Sequence, residues 1–387
     1  MRARAGWLLL ALLGTPFLPA APAEAVSLRK IRTLATDASP KSCLASPDGT
    51  TIYSLNLEGM SVEAWDAATK ELRWRLKFRP TPATGWDYDA NKPIKSFAEK
   101  PVEAALTEGG RYLWVSLHNG ASVVVIDTRL ESFDGDDLLT AALHVPGEKA
   151  RELKLRQIRV GKTPKVIAAT PDESTVYVAN WHSYSISVID ARTFTRVKDI
   201  AVSAIPRGLA VTADGKTLWA AIMGGDQLAR IDVATQTLLG YVRIGRNPRH
   251  VVLAADGKSL FVSLNGPGDV VQYSLADDRV MAKVHVGQQP RTLSLSPDGK
   301  HLFVVEYKDN RMAVIDAATL TVEGQYPTGD SPVGVTLTPD GREAWVVNYR
   351  SSTIDVFAVE GMAPMPPPLP DLEAILEADP LAPPPGP

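Results

Sequence analysis

The chain has 387 residues, is 45% hydrophobic, and carries a formal net charge of −3 from 41 basic and 44 acidic side chains. That is enough apolar material for a core, and residues 26–360, with 39 bases against 39 acids, are too balanced for wholesale nucleic-acid binding. One cysteine, Cys43, excludes an internal disulfide.

Residues 1–25 read as a secretory signal. Arg2 and Arg4 precede an apolar stretch over 7–13, and Ala23-Glu24-Ala25 supplies an A-x-A cleavage site. The apolar run is too short to span a bilayer, so the reading is a periplasmic or secreted chain with no membrane span once mature. An uncleaved anchor is the alternative. Residues 27–34 follow as a strand. Its pattern matches Leu155-Arg156-Gln157-Ile158-Arg159-Val160, which stands just before Pro164.

A repeat organises what comes next. Pro164, Pro206, Pro248, Pro290 and Pro332 are 42 residues apart, and eight residues after each stands Asp172, Asp214, Asp256, Asp298 or Asp340. Pro40, leading to Asp48-Gly49, and Pro101, leading to Gly109-Gly110, keep the same offset and bring the count to seven. Thirteen residues after each proline comes an aromatic: Tyr53, Trp114, Tyr177, Trp219, Phe261, Phe303 and Trp345. Twenty-six residues after, five of the seven copies have Asp (Asp66, Asp127, Asp190, Asp232, Asp316).

Each copy reads as four short strands. After Pro248, Val251-Val252-Leu253-Ala254 leads to an Asp256-Gly257 turn, and Leu260-Phe261-Val262-Ser263-Leu264 to a second turn at 265–268. Val270–Ser274 and Val280–Val286 complete the unit. Four strands in about 40 residues is a propeller blade, so the predicted fold is all-β, a seven-bladed β-propeller over residues 26–360. Only three strands follow Pro332. The strand at 27–34 is therefore expected to complete the last blade and close the ring.

Two insertions interrupt the period. Residues 79–97 extend the link from the first blade to the second, over one mouth of the channel, and carry Trp86. Residues 129–152 fall inside the second blade. Their acids (Glu131, Asp134, Asp136, Asp137) lack a full calcium-loop pattern, and the expectation is a solvated loop on the opposite face. Residues 361–387 hold ten of the 30 prolines and four acids without a base, which predicts a disordered acidic tail.

Val176-Tyr177-Val178-Ala179-Asn180, with Ser187-Val188-Ile189-Asp190 after it, resembles the YVTN-type seven-bladed propeller repeats of secreted bacterial proteins. Ala344-Trp345-Val346-Val347-Asn348 is nearly as close, whereas Ala220-Ala221-Ile222 and Val304-Val305-Glu306 lack the Asn. The likeness spans residues 27–359. It implies the fold and leaves several roles open: scaffolds and binding proteins, lactonase-like enzymes, and propellers that hold a haem or quinone-derived centre.

Propellers bind ligands at a channel mouth, and two sets of residues belong there. Directly after the prolines come Lys41, Lys165, Arg207, Arg249 and Arg291, with Val102 and Val333 in the other two copies. These five bases predict a cationic collar for an anionic small molecule or an acidic protein surface. The alternative is that they point sideways and pair with neighbouring acids. The second set comprises His118, Trp181, His182, Tyr307 and Tyr349 on mouth-side turns, with Glu103 and His250 on innermost strands. The aromatics offer a stacking rim. Three histidines from separate blades offer a metal site or an acid–base pair, unsupported by any ligand spacing. No nucleophile elbow, phosphate loop or haem-attachment motif is present, and no cofactor is predicted. The leading expectation is a monomeric, non-enzymatic periplasmic scaffold. A lactonase with His182 or His250 as base, and a bound metal or redox centre, are the alternatives.

Overall fold

The computed structural model describes residues 26–87 and 90–362. The signal reading (1–25) and the tail from 363 onward lie outside the described residues. Among those described, no helix is long and apolar enough to cross a membrane.

Each repeat forms one antiparallel blade. In the Pro248 copy the strands Pro248–Leu253, Ser259–Leu264, Asp269–Ser274 and Arg279–His285 lie side by side in that order. The Pro164, Pro206 and Pro290 copies repeat this order. The strands that begin at the prolines touch in cyclic sequence, and the last, Pro332–Leu337, packs against the first, Pro40–Ala45. Blades are numbered 1 to 7 from Pro40 to Pro332.

The repeated residues account for this geometry. The carboxylates of Asp214, Asp298 and Asp340 accept the N–H two residues on and the hydroxyl two residues back (Thr212, Ser296, Thr338). Gly215, Gly299 and Gly341 then take φ near +70° to reverse the chain (69°, 73°, 72°). The second Asp column caps the turn between third and fourth strands. Asp190, for example, accepts the N–H groups of Arg192 and Thr193 at 3.0 and 2.8 Å. All seven ring side chains of the aromatic column are buried. Seven apolar clusters result, one for each blade-to-blade interface, because a single sheet cannot cover its own two faces.

The ring is closed by the N-terminal strand. Ser27–Ala35 pairs antiparallel with Thr353–Glu360, from Ser27 opposite Glu360 to Ala35 opposite Thr353. Leu34 enters the core between blades 7 and 1, and Val26 the core between blades 6 and 7. Buried Asp355 receives Lys30 at 3.0 Å and the Thr33 hydroxyl at 2.6 Å.

The insertion at 129–152 departs from the expected loop. Its Leu138–His144 segment is a strand that pairs with Arg151–Arg159 of blade 2 and with Leu72–Phe78 of blade 1. It joins the outer edges of both blades into one nine-stranded sheet and buries Ala141 and Leu143. The reason is the edge rule: an outermost strand leaves unpaired N–H and C=O groups, and a short apolar strand satisfies two such edges at once. The other insertion forms a separate hairpin, Pro82–Asp87 with Lys92–Phe97.

Candidate functional site

Each innermost strand starts with a device the sequence does not display. In five blades the residue before the proline (Ser39, Thr163, Asn247, Gln289, Ser331) has a left-handed φ between 54° and 60°, which swings the chain inward. Proline then opens the strand at a place where no ladder N–H is required. A β-bulge follows at once. In blade 3 Pro164 faces Asn180, but the next pair is Ile167 with Val178, so Lys165 and Val166 stand against one residue of the neighbour. All seven blades carry an extra residue here. A bulge re-aims side chains at the rim of a sheet, and here the re-aimed position is that of the bases. Gly208, next to Arg207, lets blade 5 come close: a Cβ there would lie 2.8 Å from the Arg249 carbonyl oxygen.

The bases converge. Lys41 of blade 1 feels the charges of Arg291, Arg249 and Arg207 from blades 6, 5 and 4, and Lys165 feels Arg207, Lys41 and Arg249. Glu103 of blade 2 is the carboxylate they share. It reaches past blade 3 to Arg207, with Nη2 donating to Oε1 at 3.1 Å, and both side chains are largely buried. Burial first, and neighbouring cations second, hold both lysine ammoniums well below their usual range. The same causes push Arg249 down, while burial lowers Arg291 to about 10. A guanidinium spreads its charge and keeps its proton, so strain in this cluster falls on the lysines.

Aromatic faces hold the cations. Lys165 Nζ lies 4.3 Å from the centroid of Trp181, and the Arg207 guanidinium lies 5.6 Å from the same ring. Arg291 sits over Tyr307 at 4.0 Å and Lys41 over Tyr349 at 4.7 Å. These contacts fix long side chains that would otherwise be mobile. Gln289 accepts from Arg291 Nη2 at 3.3 Å. Arg207 Nε and Nη1 and Arg291 Nε are buried without a hydrogen-bond partner among the described residues, an uncommon state for a charged donor.

The histidines divide. His118 Nδ1 lies 2.7 Å from Lys165 Nζ, and burial followed by Lys165 lowers its pKa well below the usual value. His182 stands at the mouth, its Nδ1 2.7 Å from the Thr163 hydroxyl, with its pKa lowered by burial and Lys165. His250 accepts the Leu293 N–H at 3.3 Å, tying blade 5 to blade 6, and burial takes its pKa to about 3. Among the described residues no group of three His, Cys, Asp or Glu side chains is arranged to hold a metal ion. Trp86 is exposed on the inserted hairpin, which Asn119 fastens to the mouth-side turn of blade 2 through Ser96 and Phe97.

A cleft of about 740 Å³ lies elsewhere, between blades 5 and 6 on the Asp-Gly face. Four of its polar groups are committed: His301 and Glu323 pair at 2.7 Å, and Asp298 and Asp316 cap turns. The channel cluster, by contrast, holds buried charged donors that have no hydrogen-bond partner among the described residues.

The lysines make a pH prediction. Between their folded-state values and 10.5, the unfolded chain binds more protons than the folded one, so stability rises with pH across that window. At low salt the melting temperature of Lys41→Met/Lys165→Met should climb less steeply than that of the parent from neutral pH towards about 10. Parallel slopes would show that these ammoniums are well solvated.

Residues 194–361, under half of the chain, match a family described as YNCE-like beta-propeller. No curated protein matches. Among solved structures, hydrazine synthase of Kuenenia stuttgartiensis aligns with a TM-score of 0.67 at 23% identity, covering 84% of this chain and 97% of that one. At that identity the likeness speaks for the fold. Sheet topology, the matched family and the structural neighbour agree: the chain is an all-β propeller.

Proposed function

We propose that this is a periplasmic binding scaffold whose ligand site is the loop-rimmed mouth of the channel and whose ligand is anionic. The observation that supports the reading is the set of buried guanidinium N–H groups on Arg207 and Arg291 that find no acceptor among the described residues. An unmet buried charged donor costs more than a neutral one, and an oxyanion is the partner that satisfies it. Lys41, Lys165 and Arg249 add charge to the same space. The export assignment rests on the leader at residues 1–25. A hydrolase would need a base on this rim. His250 is neutral with one nitrogen engaged, and the Nδ1 of His182 is engaged with Thr163, so binding is the better-supported reading.

The test is thermal. Replacing chloride by sulfate at matched ionic strength should raise the melting temperature of the parent, by an amount equivalent to about 2.7 kcal/mol at a hundredfold excess over Kd. Arg249→Gln/Arg291→Gln should lose the response. A double variant that keeps it in full would remove the cations from the site.

A further inference from the structure

The anion-binding reading can be taken to a ligand class by counting charges. Arg207 is matched by Glu103 at 3.1 Å. Among the described residues no ion pair is formed by Arg249 or Arg291, nor by Lys41 or Lys165. Two guanidiniums are thus buried or half-buried without a carboxylate of their own, Glu103 being paired with Arg207 and only felt by Arg249, and a guanidinium cannot shed its proton to escape. A single negative charge would leave one of them uncompensated, and an uncompensated charge inside a protein is costly.

Resting on that reading, we propose that the channel mouth binds a compact oxyanion carrying at least two negative charges, phosphate-like or polycarboxylate. Geometry sets the compactness. The cations stand on the innermost strands of blades 1, 3, 4, 5 and 6 and act on one another's charge across the ring, an arrangement that suits a small anion among them better than one laid along a groove. Blades 2 and 7 place buried Val102 and Val333 at the equivalent position, which leaves an uncharged sector beside Glu103. The aromatic faces are already occupied by the protein's own cations, so the ligand needs no ring.

A consequence separates this class from simple salt binding. A multivalent anion restores the charged form of Lys41 and Lys165, whose ammoniums are depressed in its absence. Binding therefore raises the pKa of both lysines, and at a pH between their free and bound values it takes up protons, up to one for each lysine.

The experiment is calorimetric titration of the full chain at constant ionic strength, in two buffers of different ionisation enthalpy. The probes are acetate, inorganic phosphate, pyrophosphate and citrate. The expected result is no measurable binding of acetate and binding of the multivalent probes, at least tenfold tighter for each added charge. Proton uptake should accompany binding and disappear in Lys41→Met/Lys165→Met. Arg249→Gln should weaken the tightest probe at least a hundredfold. Phosphate and pyrophosphate against citrate decide between the two sources of the chemistry. Acetate binding as tightly as phosphate, and lost in Arg249→Gln, would overturn the charge count while leaving an anion site in place. Failure of every probe on the parent would overturn both. The comparison among probes uses the unaltered protein, so it stands even if a variant does not fold.

Discussion

A chain lacking residues 26–36 will not form the ring. Those residues supply the outer strand of blade 7, pairing with Thr353–Glu360 along its whole length. Their removal uncovers the clusters that Leu34 and Val26 complete and strips Lys30 and Thr33 from buried Asp355. Two large apolar side chains and a buried carboxylate left without its lysine, though still bonded by the Gly329 N–H and the Asn348 amide, together amount to on the order of 7 kcal/mol. A domain has a total of about 5–15 kcal/mol to lose. The expected outcome is a broad, early melt by circular dichroism and aggregation through the exposed edge of Thr353–Glu360. A synthetic peptide of residues 26–36 added in excess should sharpen the transition again. If the truncated chain melts with the parent's midpoint and cooperativity, closure by this strand contributes nothing to the fold.

That closure could be read in advance because it is a pattern in one dimension: seven prolines, seven aromatics, and a fourth strand missing at one end. The Leu138–His144 strand could not, since its meaning depends on Leu72–Phe78, an edge far away in sequence that no repeat period points to. The site shows the same division. The column Lys41, Lys165, Arg207, Arg249, Arg291 is visible as a list of bases. Its direction comes from the bulge after each proline, which depends on backbone pairing with the second strand. The contacts Glu103 to Arg207 and His118 to Lys165 cross between blades, so no local spacing encodes them. The aromatics Trp181, Tyr307 and Tyr349 were visible as a rim, yet nothing local told that their faces are turned to the collar.

Glu103→Gln should be the most damaging single change in the channel. The amide keeps the shape and can still accept from Arg207, but the cluster loses the carboxylate that four cations share. Breaking a buried ion pair in this way costs about 3–5 kcal/mol. For a domain of this size that is roughly 4–7 °C in melting temperature. The deficit should be largest at low salt. It should shrink as pH rises through the depressed titration of Lys41 and Lys165, whose loss of protons takes two charges out of the repulsion. It should also shrink with phosphate, which supplies from outside the negative charge that the substituted amide lacks, so the variant gains more from the anion than the parent does. A double variant, Glu103→Gln/Arg207→Met, should recover part of the loss by removing the cation left without a partner. The decisive comparison is thermal melting of the three proteins across pH and phosphate concentration. Should Glu103→Gln match the parent at low salt and gain nothing extra from phosphate, the five bases do not share one field. The multivalent-anion site would then have no electrostatic ground.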